Sequence, residues 1–210
     1  MQMHRRSRAE AIVLALLVLV GLSLRLTKIN WDEGHAAHPD ERHIVMVTAT
    51  LQWPERWQDL LNPRTTTLSP FSRPDGTGQR QPERFAYGHF PLYLLKAVTS
   101  GLQSLSRPLR HILGPDEPVV RELMRMNDHW HMTLAGRVIS ALFDTGTLLL
   151  AYALGRRLFG RQAGLLAAAL LTFTVLHIQL AHFFAVDSLL AFFVTLTLYW
   201  LVRLVQGEGR

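Results

Sequence analysis

Cysteine is absent from the 210 residues, which excludes disulfides and thiolate metal sites. Charge is scarce too: Asp, Glu, Lys and Arg make up 18% of the chain while hydrophobic residues reach 49%. With a mean hydropathy of +0.13, this balance favours a membrane protein over a soluble domain. Two stretches, Ala11 to Leu24 and Gln162 to Val186, carry no charged side chain apart from neutral histidines. The formal net charge of +6 does not make a nucleic-acid footprint. Arg5, Arg6 and Arg8, then Arg156, Arg157 and Arg161, then Arg203 and Arg210 flank apolar runs, opposed only by Glu10 and Glu208. Basic residues at those places hold their ends in the cytoplasm, so the excess base reports topology and no nucleic-acid partner is implied.

A spanning helix needs about 20 mainly apolar residues. The expected fold is therefore an all-α integral membrane protein with about four transmembrane helices, at 9–29, 134–154, 162–180 and 187–205. Arg25 and Lys28 are expected to snorkel outward from the end of the first, and Asp144 interrupts the second. The short basic connection from Gly155 to Arg161 belongs inside, which places both termini in the cytoplasm and residues 30–133 in one long outer loop. A signal peptide is the competing reading of the first segment, but no small-residue cleavage site follows it. The whole chain reads as one membrane domain. Within the loop, Pro39 to Leu61 reads as a helix that Pro54 interrupts or ends, Arg64 to Gln81 as an irregular connector and Tyr87 to Leu105 as an amphipathic interfacial helix. Pro108 to Asp116 reads as a second connector and Val119 to Met132 as a further surface helix.

The chemistry-bearing residues cluster just after the first apolar segment. Asp40 and Glu41 follow His38-Pro39 and sit in the first turn of the expected helix, where the dipole favours acids. Neighbours on a helix project about 100° apart, so the pair cannot face one atom. One acid can work at a reacting centre while the other orients a partner. A carboxylate within hydrogen-bond reach of a hydroxyl or amine can act as general base. His35, His38 and His43 surround the pair and, with a carboxylate, offer a possible divalent-metal site, although no standard metal motif is matched. His129 and His131 form a second small cluster with the same shortcoming. Asp187 opens the fourth apolar segment five residues after His182. Arg137, near the outer end of the second, can pair with an acid or hold a phosphate. Asp144, deep in an apolar helix, is expected to face the bundle or a cavity, either as a polar packing contact or as a functional group.

Taken together, several blocks resemble polytopic GT-C glycosyltransferases. They are Leu22-Ser23-Leu24-Arg25-Leu26, His38-Pro39-Asp40-Glu41, Tyr87-Gly88-His89-Phe90-Pro91-Leu92-Tyr93, Gly136-Arg137 running into Gly155-Arg156-Arg157, and His177 through His182 to Asp187. The chain is most similar to the bacterial family-39 type, related to protein O-mannosyltransferases and the aminoarabinose transferase of lipid A. The resemblance implies a GT-C-like N-terminal half in the plasma membrane, with its site on the outer face. It also implies inverting transfer from a polyprenyl-phosphate sugar to an extracytoplasmic lipid, glycan or protein acceptor. Asp40 then takes the role of general base, with Glu41 beside it and Asp187 at a second-loop acidic position. His38, Arg42, His43, Arg137 and His182 are the candidate substrate-binding residues. Family members carry many more helices, so a missing C-terminal half or a partner subunit is expected to complete the cavity. The competing classes are a non-catalytic membrane scaffold and part of a transporter of lipid-linked substrates.

Overall fold

The computed structural model describes residues 2–62, 66–68 and 86–207, with side chains from residue 8 onward. Eight α-helices account for most of them, and no strand occurs among the described residues. The helices are α1 (Gln2–Leu26), α2 (Pro39–Thr50), α3 (His89–Leu113), α4 (Pro118–Met124), α5 (His129–Phe159), α6 (Arg161–Phe173), α7 (Val175–Ala181) and α8 (Val186–Val205). A 3₁₀ turn lies at Trp57–Asp59. The chain divides into two compact units, one of residues 1–33 and 137–210 and one of residues 34–136.

The first unit holds the apolar helices. Stretches of α1 (Arg8–Leu26), α5 and α8 are long and apolar enough to cross a membrane, and α6 with α7 makes a fourth span if the bent pair is counted as one. Leu190, Val194, Leu198, Leu201 and Leu204 of α8 are all exposed. A stripe of that kind at helical spacing suits lipid rather than water. Leu148 and Tyr152 of α5 pack on Ala168 of α6, with Leu14, Leu17 and Val18 of α1 against them. Lipid tails are as apolar as leucine, so helices in a bilayer associate through close approach and polar contacts more than through burial. Gly155 and Gly164 supply the approach: a Cβ added at Gly164 would lie 2.7 Å from the Tyr152 carbonyl oxygen and 2.8 Å from Arg156 Cβ.

Polar contacts tie the same helices together. Arg25 does not snorkel; it is fully buried. Its Nε donates to Asp144 Oδ2 at 2.5 Å, and its Nη1 and Nη2 donate to the Gly21 and Leu171 carbonyls at 3.0 and 3.1 Å. The other Asp144 oxygen meets His177 Nδ1 at 2.6 Å. Exposure would leave Asp144 buried without a counter-charge, which explains why the outward placement loses. The Leu171 carbonyl lies in the last turn of α6, where intrahelical donors run out, so Arg25 caps the break between α6 and α7. That break bends the pair by 58°. It falls at Thr174, whose backbone is extended and whose hydroxyl donates to the Leu170 carbonyl at 2.7 Å. A Thr hydroxyl turned onto the preceding helical turn competes with the ladder and bends helices. At the opposite end of α1, buried Glu10 accepts from the Tyr152 hydroxyl at 2.5 Å, with Arg156 Nε and Arg161 Nε at 3.3 and 3.4 Å.

The second unit covers most of the segment expected to form one long loop. Ile44, Val45 and Val47 of α2, Leu92 and Leu95 of α3, Val120 of α4 and Met132 of α5 form its core, all buried. Each such side chain contributes roughly 1.5–3 kcal/mol. Three boundaries differ from the expectations. The helix from Pro39 stops at Thr50 and does not reach Leu61: Leu51 is extended, and the Gln52 N–H donates to the Thr67 hydroxyl at 2.6 Å. Pro54 disfavours a helical residue before it, so the chain leaves the helix early. α3 runs past Pro108, where a connector was expected, and stops at Gly114, whose φ is +103°. The stop signal is the glycine, which takes a positive φ at little steric cost. The helix expected at 119–132 breaks at 125–128, where Asn127 and Asp128 favour a turn and a helix start. The basic link after Gly155 remains helical to Phe159, and only Gly160, with a φ of +87°, turns the chain. The connector expected at 64–81 lies outside the described residues apart from 66–68.

Candidate active site

Pro39 at the first position of α2 sets the backbone for a helix start, and the His38 ring caps it. His38 Nδ1 accepts from the Glu41 backbone N–H at 3.5 Å. This fixes which way the next two side chains leave the helix. Glu41 points inward and is fully buried, whereas Asp40 is half-buried at the surface. The two acids thus divide as the helical spacing requires, one facing in and one facing out.

Asp40 has a partner from a distant part of the same unit. The Tyr87 hydroxyl donates to Asp40 Oδ1 at 2.7 Å. Oδ2 of Asp40 has no hydrogen-bond partner among the described residues. The His43 ring lies edge-on to Tyr87, with centroids 5.7 Å apart, and His89 packs beside Tyr93 at 5.7 Å. The His-Pro-Asp-Glu and Tyr-Gly-His-Phe-Pro blocks therefore meet in space. Bonding to the Asp40 carboxylate pushes the Tyr87 phenol above its ordinary pKa, with burial and the carboxylate charge acting the same way. The residue that sequence reasoning missed is Tyr87. Its signal was its place in a block with an unusual Gly-His-Phe-Pro run, but nothing in that run names its partner. Arg42 projects from α2 into solvent, exposed.

The remaining candidates belong to the other unit. Arg137 is fully buried and grips Asp32 with both arms: Nη1 donates to Oδ1 at 2.9 Å and Nη2 to Oδ2 at 2.8 Å. Nη1 also donates to the Ile29 carbonyl at 2.9 Å, and the guanidinium lies 5.6 Å from the Trp31 ring centroid. Of the two partners open to Arg137, acid or phosphate, the acid is present. His182 has Nδ1 on the Ile178 carbonyl at 2.7 Å and Nε2 on the Thr27 carbonyl at 2.8 Å. Trp31 Nε1 in turn donates to the His182 carbonyl at 3.3 Å, and Trp31 meets Phe183 edge-on at 5.5 Å. Asp32, Trp31, Arg137 and His182 thus fasten the end of α1 to α5 and α7. Asp187, in the first turn of α8, is exposed and has no partner among the described residues.

The structure therefore gathers His38, Asp40, Glu41, Arg42 and His43 with Tyr87 in one unit, and Arg137 and His182 with Asp32 and Trp31 in the other. Among the described residues no three His, Asp or Glu side chains converge with the geometry of a metal site. No curated protein and no solved structure matches the chain. Residues 128–210 match the family model described as dolichyl-phosphate-mannose-protein mannosyltransferase, a match that supports a GT-C glycosyltransferase family for this multi-pass membrane protein.

Proposed function

We propose that this protein is a glycosyltransferase of the bacterial family-39 type, seated in the plasma membrane with cytoplasmic termini and an outward-facing site. It moves a sugar from a polyprenyl-phosphate donor to an extracytoplasmic acceptor. The reaction class rests on the family match over residues 128–210. The residue assignment rests on one observation: Asp40 has Oδ1 held by Tyr87 and Oδ2 without a hydrogen-bond partner among the described residues.

In this reading Oδ2 accepts the proton of the acceptor hydroxyl or amine as that atom attacks the anomeric carbon. The bond from the anomeric carbon to the phosphate oxygen breaks, its electron pair leaves with the lipid phosphate, and configuration inverts. Proton removal of this kind contributes about 10²- to 10⁴-fold. Arg42 and His43, two and three positions beyond Asp40, supply donors to the phosphate as its charge develops. His38 and buried Glu41 are positioning residues that set the first turn of α2. Arg137 and His182 are positioning residues as well, since both are spent on holding the outer end of α1. Asp187, in the first turn of α8, is in this reading a further acid for contact with substrate.

The test is donor choice. The full-length protein in liposomes is given a radiolabelled polyprenyl-phosphate sugar or, separately, the corresponding nucleotide sugar. Label should reach the acceptor from the lipid-linked donor only. Transfer from the nucleotide sugar without a lipid intermediate overturns the reading.

A further inference from the structure

α3 is apolar on two sides, and the core of its unit uses only one. Leu92, Leu95, Thr99 and Ser106 are buried within the 34–136 unit. At about 100° per residue, Phe90, Leu94, Ala97, Gly101, Leu105 and Ile112 fall within about 80° of one another, on the side away from that core. Phe90, Leu105 and Ile112 are 48%, 50% and 76% exposed, Ala97 and Gly101 are exposed, and Leu94 is half-buried. A Cβ added at Gly101 would meet nothing within 4 Å. The stripe therefore runs exposed along about 33 Å of helix, at about 1.5 Å per residue. None of its side chains can form a hydrogen bond. Arg107 and Arg110, also exposed, leave the helix at least about 120° from the centre of the stripe.

A contiguous apolar surface of this length needs an apolar neighbour. α3 does not cross the membrane itself: the helices long and apolar enough are α1, α5, α8 and the bent pair α6–α7. The chain leaves the 34–136 unit into α1 at one end and along α5 at the other, so few residues separate the unit from a bilayer. Beside α3, Trp53 Nε1 donates to Ser100 Oγ at 2.9 Å, and Trp53 meets Trp57 edge-on at 5.7 Å. Both indoles are exposed, Trp57 by 74%, and indoles favour the depth of the headgroups. A protein partner on the same surface would make about one hydrogen bond per 100–200 Å². The stripe offers none, and acyl chains ask for none.

We propose that α3 lies along the membrane surface with the Phe90–Ile112 stripe set into the acyl-chain boundary of the bilayer and Arg107 and Arg110 turned away from it. This carries the expected interfacial helix past Leu105 to Ile112 and assigns the side that meets lipid. The proposal rests on the multi-pass membrane assignment and does not depend on the sugar-transfer reading.

The chain has no cysteine, so one introduced cysteine carries one nitrobenzoxadiazole label. The full chain is placed in phosphatidylcholine nanodiscs. Phosphatidylcholine with a nitroxide near the top of its acyl chain quenches from the lipid, and iodide quenches from water. Labels at Leu105→Cys and Ile112→Cys should be quenched by the nitroxide lipid at least about twofold more than labels at Arg107→Cys and Arg110→Cys, and iodide should give the reverse order. Circular dichroism establishes that each variant keeps its helices. Gly101→Cys, with open space at its Cβ, replaces a stripe variant that does not. Equal lipid quenching at the four sites, or iodide reaching the two stripe positions as readily as the two arginine positions, overturns the proposal. Protection of the stripe positions from both quenchers overturns it in favour of a protein partner.

Discussion

Asp144 offers the sharpest test of how the membrane unit is held. It is 2% exposed, with Arg25 on one oxygen and His177 on the other. Replacing Asp144 by Ala leaves the Arg25 guanidinium buried with only two neutral carbonyls, those of Gly21 and Leu171. Breaking a buried pair by removing one partner costs roughly 3–5 kcal/mol. The two carbonyl bonds persist, so the lower end applies and Asp144→Ala should destabilise by ~3 kcal/mol. Asp144→Asn keeps an acceptor for Arg25 and should cost about half of that. Substituting both partners, Arg25→Met with Asp144→Ala, removes the charge together with its counter-charge. It should recover most of the loss, which gives a coupling energy of about 2–3 kcal/mol. The assay is equilibrium unfolding in mixed micelles, with helical circular dichroism read against the mole fraction of denaturing detergent. A D144A variant within about 0.5 kcal/mol of the parent, or a double variant no more stable than D144A, refutes the reasoning.

Three further outcomes follow from the packing. Gly164→Ala places a methyl against the Tyr152 carbonyl and Arg156 Cβ and should lower stability by ~1–3 kcal/mol in the same unfolding assay. Burial pushes the Lys96 ammonium below its usual pKa. The unfolded chain then binds more protons than the folded one between the two pKa values, so stability of the 34–136 unit should rise with alkaline pH through that window. Lys96→Met should abolish the slope, as read from melting midpoints across the pH series. The Tyr87 phenol, raised by Asp40, should ionise above pH 10.0 in ultraviolet difference titrations against a Tyr87→Phe variant.

What the sequence made legible was whatever depends on local composition. Charge-free runs over Ala11–Leu24 and Gln162–Val186 mark apolar helices because the bilayer demands an internally bonded backbone. Asp144 stands out because an acid in such a run must find a partner. The partners themselves were not legible. Arg25 reads as a snorkelling end residue until the fold brings it to Asp144, 119 positions away, and Arg137 finds Asp32 over a similar distance. The bend at Thr174 has no proline or glycine to announce it and comes from a hydroxyl turned back on the helix. In the candidate site, Pro39 and the two acids specify a helix start, and period alone separates the inward Glu41 from the outward Asp40. The tyrosine that orients Asp40 lies beyond a Thr-, Pro- and Gly-rich stretch, across which helical periodicity carries no information.

The central claim is that Asp40 removes the acceptor's proton. Asn at this position keeps an oxygen for the Tyr87 hydroxyl and should leave the helices and the melting midpoint unchanged. Initial rates of sugar transfer by the full-length D40N protein, with saturating lipid-linked donor, test the claim directly. The account predicts a fall of roughly 10²- to 10⁴-fold in kcat with little change in donor KM. A folded D40N protein that transfers sugar at the parent rate contradicts it.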